Sequence, residues 1–334
     1  MNDMPKEVVF PAKNTFILSD YQDVPLGPDE IRGQTIATLI SQGTELAWAN
    51  GDDFPIRPGY AAVFRVDEIG TAVQGISAGD LRFCMGHHRS TQQYPVRYTL
   101  AVPQGMEAET ALLARLMGVS MTTLMTTRAR PGDKVIVTGA GPVGLLAAHN
   151  FSIGGYEVSV VEPDATRRAQ VQQSGIRTAL PAMPVDDPKY SRQVALVVDC
   201  SGHEAAILDA CRIARPGGEV VLVGVPWQKR AEIPAHDVLK EVFFGYVTLR
   251  SGWEWEVPIH SRDFVWEELL EGYNNAPQSV FSGFEKAMKW LAKGRLDMGD
   301  LMARRPVDNI GSVYSDIASR TLAEPLIVLD WAES

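Results

Sequence analysis

The sequence contains few cysteines. Cys84, Cys200 and Cys211 are the only three among 334 residues. None belongs to a C-x-x-C pair, and none has the spacing to histidine that marks a zinc cluster. A small, odd set of thiols argues against a disulfide framework and favours a reducing compartment. The sequence therefore predicts a fold that is held together by its apolar core.

Long apolar runs and positive charge are also scarce. No stretch of about 18 apolar residues occurs, so no membrane span is expected. The segment MNDMPKEVVF lacks the apolar core of a secretory signal. The net charge of −10 disfavours binding to nucleic acid or anionic lipid. Together with 45% apolar residues, these features predict an acidic, globular cytoplasmic protein.

The first 118 residues or so alternate between strand-like segments and turns. The strand-like segments are KEVVF, NTFIL, EIRGQTIATLI, AAVFRVDEIG and RYTLAV. Turns rich in Pro and Gly separate them at PLGPDE, FPIRPG and VQGISAGD. Because no helical periodicity intervenes, the pattern predicts an antiparallel, barrel-like unit.

From about residue 119, strands and helices alternate. Helices are predicted after the Val-rich strands KVIVTG, EVSVVE and QVALVVDCSG, and EVVLVG forms a further strand. This alternation is typical of an α/β protein with a doubly wound parallel sheet. After about residue 260, RDFVWEELLEGY and GFEKAMKWLAKGRL are predicted to form amphipathic helices, and LIVLDW a last strand.

A glycine motif follows the first of these parallel strands. It runs from Gly139 through Gly141, Pro142 and Val143 to Gly144. In such a motif the first glycine permits a tight turn, the second lets a pyrophosphate approach the backbone, and the third lets the helix pack on the strand. The helix N-terminus then offers N–H groups to the phosphates. The context of a strand before and a helix after predicts a dinucleotide site.

Glu162, at the end of the next strand, bears on the choice of cofactor. A carboxylate there can accept hydrogen bonds from both ribose hydroxyls and repels a 2′-phosphate, which favours NAD over NADP. Arg167 lies close behind and would soften this preference, or it belongs to a solvated helix face. Two later turns fit the same cofactor, because both follow strands at the carboxyl edge of the sheet. They contain Ser201 and Gly202, and Val223, Gly224 and Val225.

These motifs together resemble the medium-chain dehydrogenase/reductase superfamily, which includes the zinc alcohol dehydrogenases and the quinone oxidoreductases. The resemblance extends over nearly the whole chain through GAGPVG, VPLGPDEI, RPGYAAVFRVDEIG, VPQGM and RPGDKVIV. It implies a GroES-like catalytic domain formed by residues 1–118 and 262–334. It also implies a Rossmann dinucleotide-binding domain over residues 119–261, an NAD(P)-dependent dehydrogenase activity and a homodimer.

The sequence departs from this family at the zinc ligands. The positions that correspond to the three catalytic ligands are Ser41, Tyr60 and, approximately, Val119, and the cysteines of the structural zinc lobe are missing. A catalytic zinc needs three protein ligands of N, S or O type. We therefore expect an enzyme with no metal site. An unrelated site built from His87, His88 and a distant carboxylate is the alternative.

Without zinc, other groups must polarise the substrate and move a proton. The catalytic candidates are Glu45, His88, Tyr60 and Thr44. Glu45 either relays protons or fixes its loop through backbone N–H groups. His88 suits proton exchange near neutral pH or is a surface-loop histidine. Tyr60 either donates a hydrogen bond to a developing alkoxide or only packs.

The resemblance places two further segments near the nicotinamide. Thr123 aligns with a threonine that contacts the nicotinamide, and a helical core threonine is the competing interpretation. Ser251 precedes Trp253 and Trp255, which shape an apolar pocket or lie at a dimer contact. The expected activity is zinc-independent hydride transfer between NAD(H) and a small alcohol or carbonyl substrate. A quinone- or ene-type reductase and a non-catalytic dinucleotide-binding protein are the alternatives.

Overall fold

The computed structural model describes residues 4–256 and 278–331. The chain divides into two compact units: the first comprises Met1–Arg115 and Met288–Ser334, and the second comprises Leu116–Ala287. The first unit thus resumes at Met288, whereas the prediction placed its second segment from residue 262. The predicted helix RDFVWEELLEGY lies outside the described residues.

The first unit consists mainly of strands. In chain order they are β1 (Lys6–Val9), β2 (Ile17–Asp20), β3 (Glu30–Leu39), β4 (Ala62–Ile69), β5 (Leu81–Cys84), β6 (Thr91–Pro95) and β7 (Thr99–Ala101). The first helix, α1 (Gln42–Ala49), follows β3, and α2 (Ala108–Thr126) follows β7 and contains the first boundary between the units.

Antiparallel pairing dominates the sheets of this unit. The last two strands of the chain, β14 (Met302–Pro306) and β15 (Leu326–Asp330), also belong to this unit. β1 pairs with β2, and a larger sheet has the order β14-β15-β3-β4-β5-β7, with β6 also paired with β3. β14 and β15 pair in parallel, and β15 is antiparallel to β3. Helix α8 (Ile310–Ser319) lies between β14 and β15 in the chain. A core cluster that includes Phe10, Ile40, Tyr314 and Leu329 joins these elements.

The second unit is a parallel sheet with intervening helices. Its elements are β8 (Lys134–Thr138), α3 (Pro142–Ile153), β9 (Glu157–Val161), α4 (Ala165–Gln173), β10 (Thr178–Leu180), β11 (Val194–Asp199), α5 (Glu204–Ile213), β12 (Ala214–Leu222), α6 (Ala235–Gly245) and β13 (Thr248–Ser251). The helix α7 (Val280–Ala292) follows and contains the second boundary between the units. The predicted α/β fold with a parallel sheet and a mainly antiparallel domain is confirmed.

The order of the parallel strands fixes where a ligand can bind. The sheet runs β10-β9-β8-β11-β12-β13, so the chain builds outward from β8 in one direction and then from β11 in the other. The reversal leaves a crevice between β8 and β11 at their carboxyl ends, because the connections leave these two strands in opposite directions. The predicted glycine turn follows β8, and the Ser201–Gly202 turn follows β11.

Local structure differs from the prediction at two places in the first unit. Glu45, expected in a loop, lies in the N-terminal half of α1. Gly43 and the β-branched Thr44 have weak helix propensity, so tertiary contacts determine this helix. The strands β5 and β6 were not predicted, because β5 has only four residues and β6 is rich in polar residues. Among the helices of residues 4–256 and 278–331, none has the length and apolar character to cross a bilayer.

Candidate functional site

The glycine turn after β8 has the backbone that its sequence predicts. Gly139 has a φ of +83°, a left-handed conformation that favours glycine. A Cβ at Gly144 would lie 1.9 Å from the carbonyl oxygen of Gly139, so only glycine permits this contact between helix and turn. A Cβ at Gly141, by contrast, would meet nothing within 4 Å. Gly141 therefore borders open space at the N-terminus of α3.

This open space fits the phosphates of a dinucleotide. Gly141 is the N-cap of α3, and no side chain caps the helix there. Pro142 takes the first helical position, where the absence of an N–H group costs nothing. The N–H groups of the first turn and the helix dipole therefore remain available to an anion. When bound, the dinucleotide would be held by this turn.

Asp199 at the end of β11 connects the two turns. Its carboxylate accepts hydrogen bonds from the Thr138 hydroxyl (2.6 Å), the Ser201 hydroxyl (2.6 Å), and the backbone N–H groups of Ser201 (3.2 Å) and Gly202 (3.1 Å). Asp199 is fully buried. Asp199 was not predicted as a site residue, although it is the one charged residue of the apolar strand VALVVD.

Glu162 lies beside the glycine turn, as its position after β9 predicts. Its Oε2 atom accepts the Ala140 N–H at 2.8 Å, and its Oε1 atom accepts the Asp164 N–H at 2.9 Å. The carboxylate is therefore fixed against the turn, and each oxygen keeps a further lone pair. The guanidinium of Arg168 donates to the carbonyl oxygens of Glu162 and Pro163. A contact between Glu162 and a ribose stays a prediction.

The other predicted cofactor residues have less specific surroundings. A Cβ at Gly202 would meet the Val225 carbonyl oxygen at 2.9 Å, and one at Gly224 would meet Cys200 at 2.6 Å. These two glycines are thus explained by the packing of their loops. Among the remaining residues, Val223 is buried, Arg167 is half-buried, and Val225 and Ser251 are exposed.

Thr123 has an unpaired hydroxyl. Its Oγ1 atom is buried within α2 and has no hydrogen-bond partner among the described residues. A buried polar group without a partner costs about 1–3 kcal/mol. Such a hydroxyl is suited to bind a ligand, and its predicted contact with the nicotinamide is compatible with this environment.

In the first unit, Ser41 and Tyr60 form a second polar group. Ser41 is the N-cap of α1, yet its side chain makes no capping hydrogen bond. Its Oγ atom instead accepts a hydrogen bond from the Tyr60 hydroxyl. The preceding Gly59 packs closely on His88, because a Cβ there would lie 2.5 Å from the backbone nitrogen of His88. Tyr60 is half-buried, whereas Ser41 is buried.

The environment of Tyr60 acts on its acidity in two directions. Burial raises the pKa of its phenol, while the Arg115 guanidinium and hydrogen bonds with Ser41 and Thr44 lower this pKa. Arg115 lies over the ring, with its Cζ atom 4.5 Å from the centroid, and Trp48 packs edge-on at 6.2 Å. The cation stabilises the phenolate that proton release would create.

Glu45 and His88 belong to one buried network. His88 Nε2 lies 3.1 Å from Glu45 Oε2, and its Nδ1 lies 2.7 Å from Thr38 Oγ1. Tyr314 donates its hydroxyl proton to Glu45 Oε2, and Trp331 Nε1 donates to Thr38 Oγ1 at 3.0 Å. Glu45 Oε1 accepts the Ser41 N–H at 2.8 Å, which joins this network to the Ser41–Tyr60 pair.

The structure thus brings the four predicted catalytic residues into one cluster. Glu45 and His88 have no exposed surface, so the surface-loop interpretation of His88 is wrong. The adjacent His87, in contrast, is exposed. Thr38, Tyr314 and Trp331 were missed by the sequence analysis. No local pattern marks them, because their partners lie 50, 269 and 293 residues away.

The residues at the three positions that correspond to the family's zinc ligands do not fit a catalytic zinc. Ser41 and Tyr60 are neutral hydroxyls that hydrogen-bond each other, and Val119 has no donor atom. Over the described ranges, no group of three or more His, Cys, Asp or Glu side chains could hold a metal ion. Tetrahedral zinc sites in proteins are built from those side chains.

Sequence comparison finds dehydrogenases. Residues 142–254 match a family model described as "Zinc-binding dehydrogenase". A "Putative D-xylulose reductase" of Agrobacterium fabrum is 29% identical over 205 residues, which cover 56% of this chain and 59% of that protein. A 2-dehydro-3-deoxy-L-galactonate 5-dehydrogenase of Pseudoalteromonas atlantica is 24% identical, with coverage of 70% and 61%. The chain thus spans about 60% of the length of these two curated relatives.

Solved structures share the fold over nearly the full length. Galactitol-1-phosphate dehydrogenase from Escherichia coli superposes with a TM-score of 0.79 at 17% identity, covering 97% of this chain and 99% of that one. Acetophenone reductase from Geotrichum candidum, in complex with NAD, has a TM-score of 0.78 at 13% identity, with coverage of 99% and 98%. A protein from Sinorhizobium meliloti 1021 bound to NADP has a TM-score of 0.75 at 17% identity, with coverage of 98% and 100%. Motifs, fold and sequence relatives support the resemblance of the chain to the alcohol dehydrogenase-like medium-chain dehydrogenase/reductase superfamily.

Proposed function

We propose that this protein is a zinc-independent oxidoreductase that transfers a hydride between NAD(H) and a small alcohol or carbonyl compound. The observation that carries the proposal is the glycine turn at the reversal of strand order, with open space at Gly141 and uncapped N–H groups on α3. When bound, NAD(H) accepts or supplies the hydride at the nicotinamide. The names of the curated relatives favour hydroxylated, sugar-like substrates.

The Ser41–Tyr60 pair is suited to handle the proton. Tyr60 donates to Ser41 Oγ, so the Ser41 hydroxyl proton is free to go to the substrate oxygen. During carbonyl reduction, Ser41 would give this proton to the oxygen that gains it and would receive the Tyr60 proton in its place. The phenolate so formed lies beside the Arg115 guanidinium. Alcohol oxidation would run the same transfer in reverse.

The preference for NAD rests on Glu162. Its carboxylate is fixed beside the glycine turn by two backbone N–H groups, where it would repel a 2′-phosphate. Zinc independence rests on the chemistry of Ser41, Tyr60 and Val119, which together offer no set of zinc ligands. The homodimer implied by the family resemblance also remains a proposal, and light scattering of the purified protein measures it.

Two measurements test the activity. NADH and NADPH are titrated by fluorescence, and turnover is measured with a panel of polyols, sugars, ketones and quinones. We expect tighter binding of NADH, turnover of a hydroxylated compound or its carbonyl partner, and no loss of rate after incubation with a chelator. Elemental analysis should find much less than one zinc per chain.

The alternatives give different results in the same assays. Turnover of quinones or activated alkenes alone, with tighter NADPH binding, would identify a quinone- or ene-type reductase. Tight NADH binding without oxidation by any compound would identify a non-catalytic binding protein. One zinc per chain together with inactivation by a chelator would overturn zinc independence.

A further inference from the structure

The Glu45 carboxylate is surrounded by hydrogen-bond donors and is closed to solvent. Its Oε1 atom accepts the Ser41 N–H at 2.8 Å, and its Oε2 atom faces His88 Nε2 at 3.1 Å and the Tyr314 hydroxyl. Its exposed fraction is 0%. Burying a carboxylate is costly unless hydrogen-bond donors satisfy it, and here each oxygen has at least one.

The polar atoms around His88 allow one continuous set of hydrogen bonds to Glu45. The Trp331 indole can only donate, so it occupies one lone pair of Thr38 Oγ1. Thr38 Oγ1 also lies 2.7 Å from His88 Nδ1, and His88 Nε2 lies 3.1 Å from Glu45 Oε2. In the tautomer with the proton on Nε2, Thr38 donates to Nδ1 and Nε2 donates to Glu45, so the bonds from Trp331 to Glu45 run in one direction.

The end point of this chain of bonds is the backbone of Ser41. Ser at an N-cap normally accepts a hydrogen bond from a backbone N–H of the first helical turn. Ser41 makes no such bond, and its Oγ atom accepts from Tyr60. The Glu45 carboxylate reaches back from the first turn of α1 to the Ser41 N–H, and the Glu45 N–H donates to the Ser41 carbonyl at 2.9 Å. Both backbone polar groups of Ser41 are thus held while its hydroxyl is left to Tyr60.

We propose that Tyr314 and the Trp331–Thr38–His88 chain are positioning elements, which clamp the Glu45 carboxylate so that it fixes Ser41 with its hydroxyl directed at Tyr60. The clamp rests on the proposed function, because it orients the pair that would transfer the proton. Glu45 and His88 then take no proton from the substrate. Their complete burial supports this role, since a group that exchanges protons with a substrate must touch it or a conducting neighbour.

Tyr314→Phe is the most selective test. It removes one hydroxyl and keeps the ring, which packs against Phe10 and Phe16 at centroid distances of 5.0 Å and 4.8 Å. The matched control is Tyr94→Phe, which removes a phenol hydroxyl that donates to the Met85 carbonyl in the same unit and not to a residue of the cluster. We expect Tyr314→Phe to lower kcat about tenfold or more, with little change in KM or in the Kd of NADH. Tyr94→Phe should leave kcat within about twofold of the native value.

Thr38 supplies a second and independent pair of variants. Thr38→Val keeps the shape and removes the hydroxyl between Trp331 and His88, whereas Thr38→Ser keeps the hydroxyl. We expect Thr38→Val to reduce kcat and Thr38→Ser to restore it. If Tyr314→Phe does not fold, this pair still tests the clamp.

Glu45→Gln separates positioning from proton exchange. A positioning role predicts a lower kcat with an unchanged shape of the pH–rate profile, because the proton still passes through Ser41 and Tyr60. Loss of one limb of the profile would show that Glu45 itself exchanges the proton and would overturn the proposal. A native kcat in both Tyr314→Phe and Thr38→Val would also overturn it.

An NMR measurement that needs no turnover distinguishes failure of the clamp from failure of the proposed function. With tyrosine labelled with ¹³C at Cζ, the Tyr60 resonance reports its hydrogen bond to Ser41. We expect this resonance, assigned by Tyr60→Phe, to shift in Tyr314→Phe and in Thr38→Val and to stay unchanged in Tyr94→Phe. If the native protein reduces no substrate but these shifts appear, only the proposed function fails. If both variants turn over substrate at the native rate and their Tyr60 resonance does not shift, only the clamp fails.

Discussion

The Thr138 hydroxyl donates a hydrogen bond of 2.6 Å to Asp199 at the carboxyl ends of β8 and β11. The two residues are paired in the register of these neighbouring strands. The bond therefore crosses the point where the strand order of the sheet reverses. Because Asp199 also holds Ser201 and Gly202, one carboxylate fixes both turns that border the crevice.

Asp199→Asn should therefore loosen the dinucleotide site. The new amide nitrogen must face an N–H or O–H donor, which leaves a buried donor unpaired at a cost of about 1–3 kcal/mol. We expect a lower midpoint of urea unfolding and weaker binding of NADH. The control is Asp209→Asn, which changes an aspartate on α5 that pairs with Arg212 near the surface. Equal stability of the two variants would contradict the structural role of Asp199.

Two glycines of one turn should respond differently to alanine. Gly144→Ala places a Cβ 1.9 Å from a carbonyl oxygen and should destabilise the protein by about 1–3 kcal/mol or more. Gly141→Ala meets open space, and its φ of −68° suits alanine, so thermal stability should be native. We expect Gly141→Ala to raise the Kd of NADH about tenfold or more, about 1.4 kcal/mol, because the methyl group takes the space of the pyrophosphate. Native affinity would place the phosphates elsewhere.

Glu162→Gln tests the preference for NAD. The change removes the charge that repels a 2′-phosphate and keeps most of the side-chain shape. We expect the ratio of the NADPH Kd to the NADH Kd to fall about tenfold in fluorescence titrations. Glu157→Gln is the control, since it alters an exposed glutamate at the start of β9, the strand that precedes Glu162, and this glutamate pairs with Lys134. An unchanged ratio in Glu162→Gln would assign the selectivity to other groups.

The raised pKa of Tyr60 sets the pH dependence of the two reaction directions. Burial keeps the phenol protonated well beyond neutral pH, so the rate of carbonyl reduction should be nearly constant from about pH 6 to about pH 9. Alcohol oxidation needs the phenolate and should accelerate as the pH rises toward the Tyr60 pKa. Tyr60→Phe should lower both rates about 10²- to 10⁴-fold and remove this pH dependence. Steady-state rates across this range measure both effects.

The buried His149 should lower the stability of the fold at acidic pH. Burial lowers the pKa of its side chain to about 4 from 6.5. In the unfolded chain the imidazole therefore takes up a proton at a higher pH than in the folded protein. Stability from this group is present above about pH 6.5 and is lost as the pH falls toward 4, by roughly 3 kcal/mol. In urea unfolding, the stability of His149→Gln should depend less on pH over this range. Variants of the exposed His236 should show the pH dependence of the native protein.

The sequence predicted the parallel unit well and the first unit less well. In the parallel unit, strand, glycine turn and helix follow one another locally, and Val-rich runs identify buried strands without distant information. The helix α1 was missed because Gly43 and Thr44 favour other conformations locally. His88 was left open to a surface position, because the residues that bury it come from three other segments.

The sequence by itself determined the class of fold and the dinucleotide turn. These depend on periodicity and on glycines at fixed spacing. Only the tertiary structure decided the roles of Glu45, His88 and Tyr314. A buried polar group is defined by its partners, and those of Glu45 lie 4, 43 and 269 residues away. No short-period sequence pattern indicates such contacts, because they form only when β3, α1 and α8 pack together.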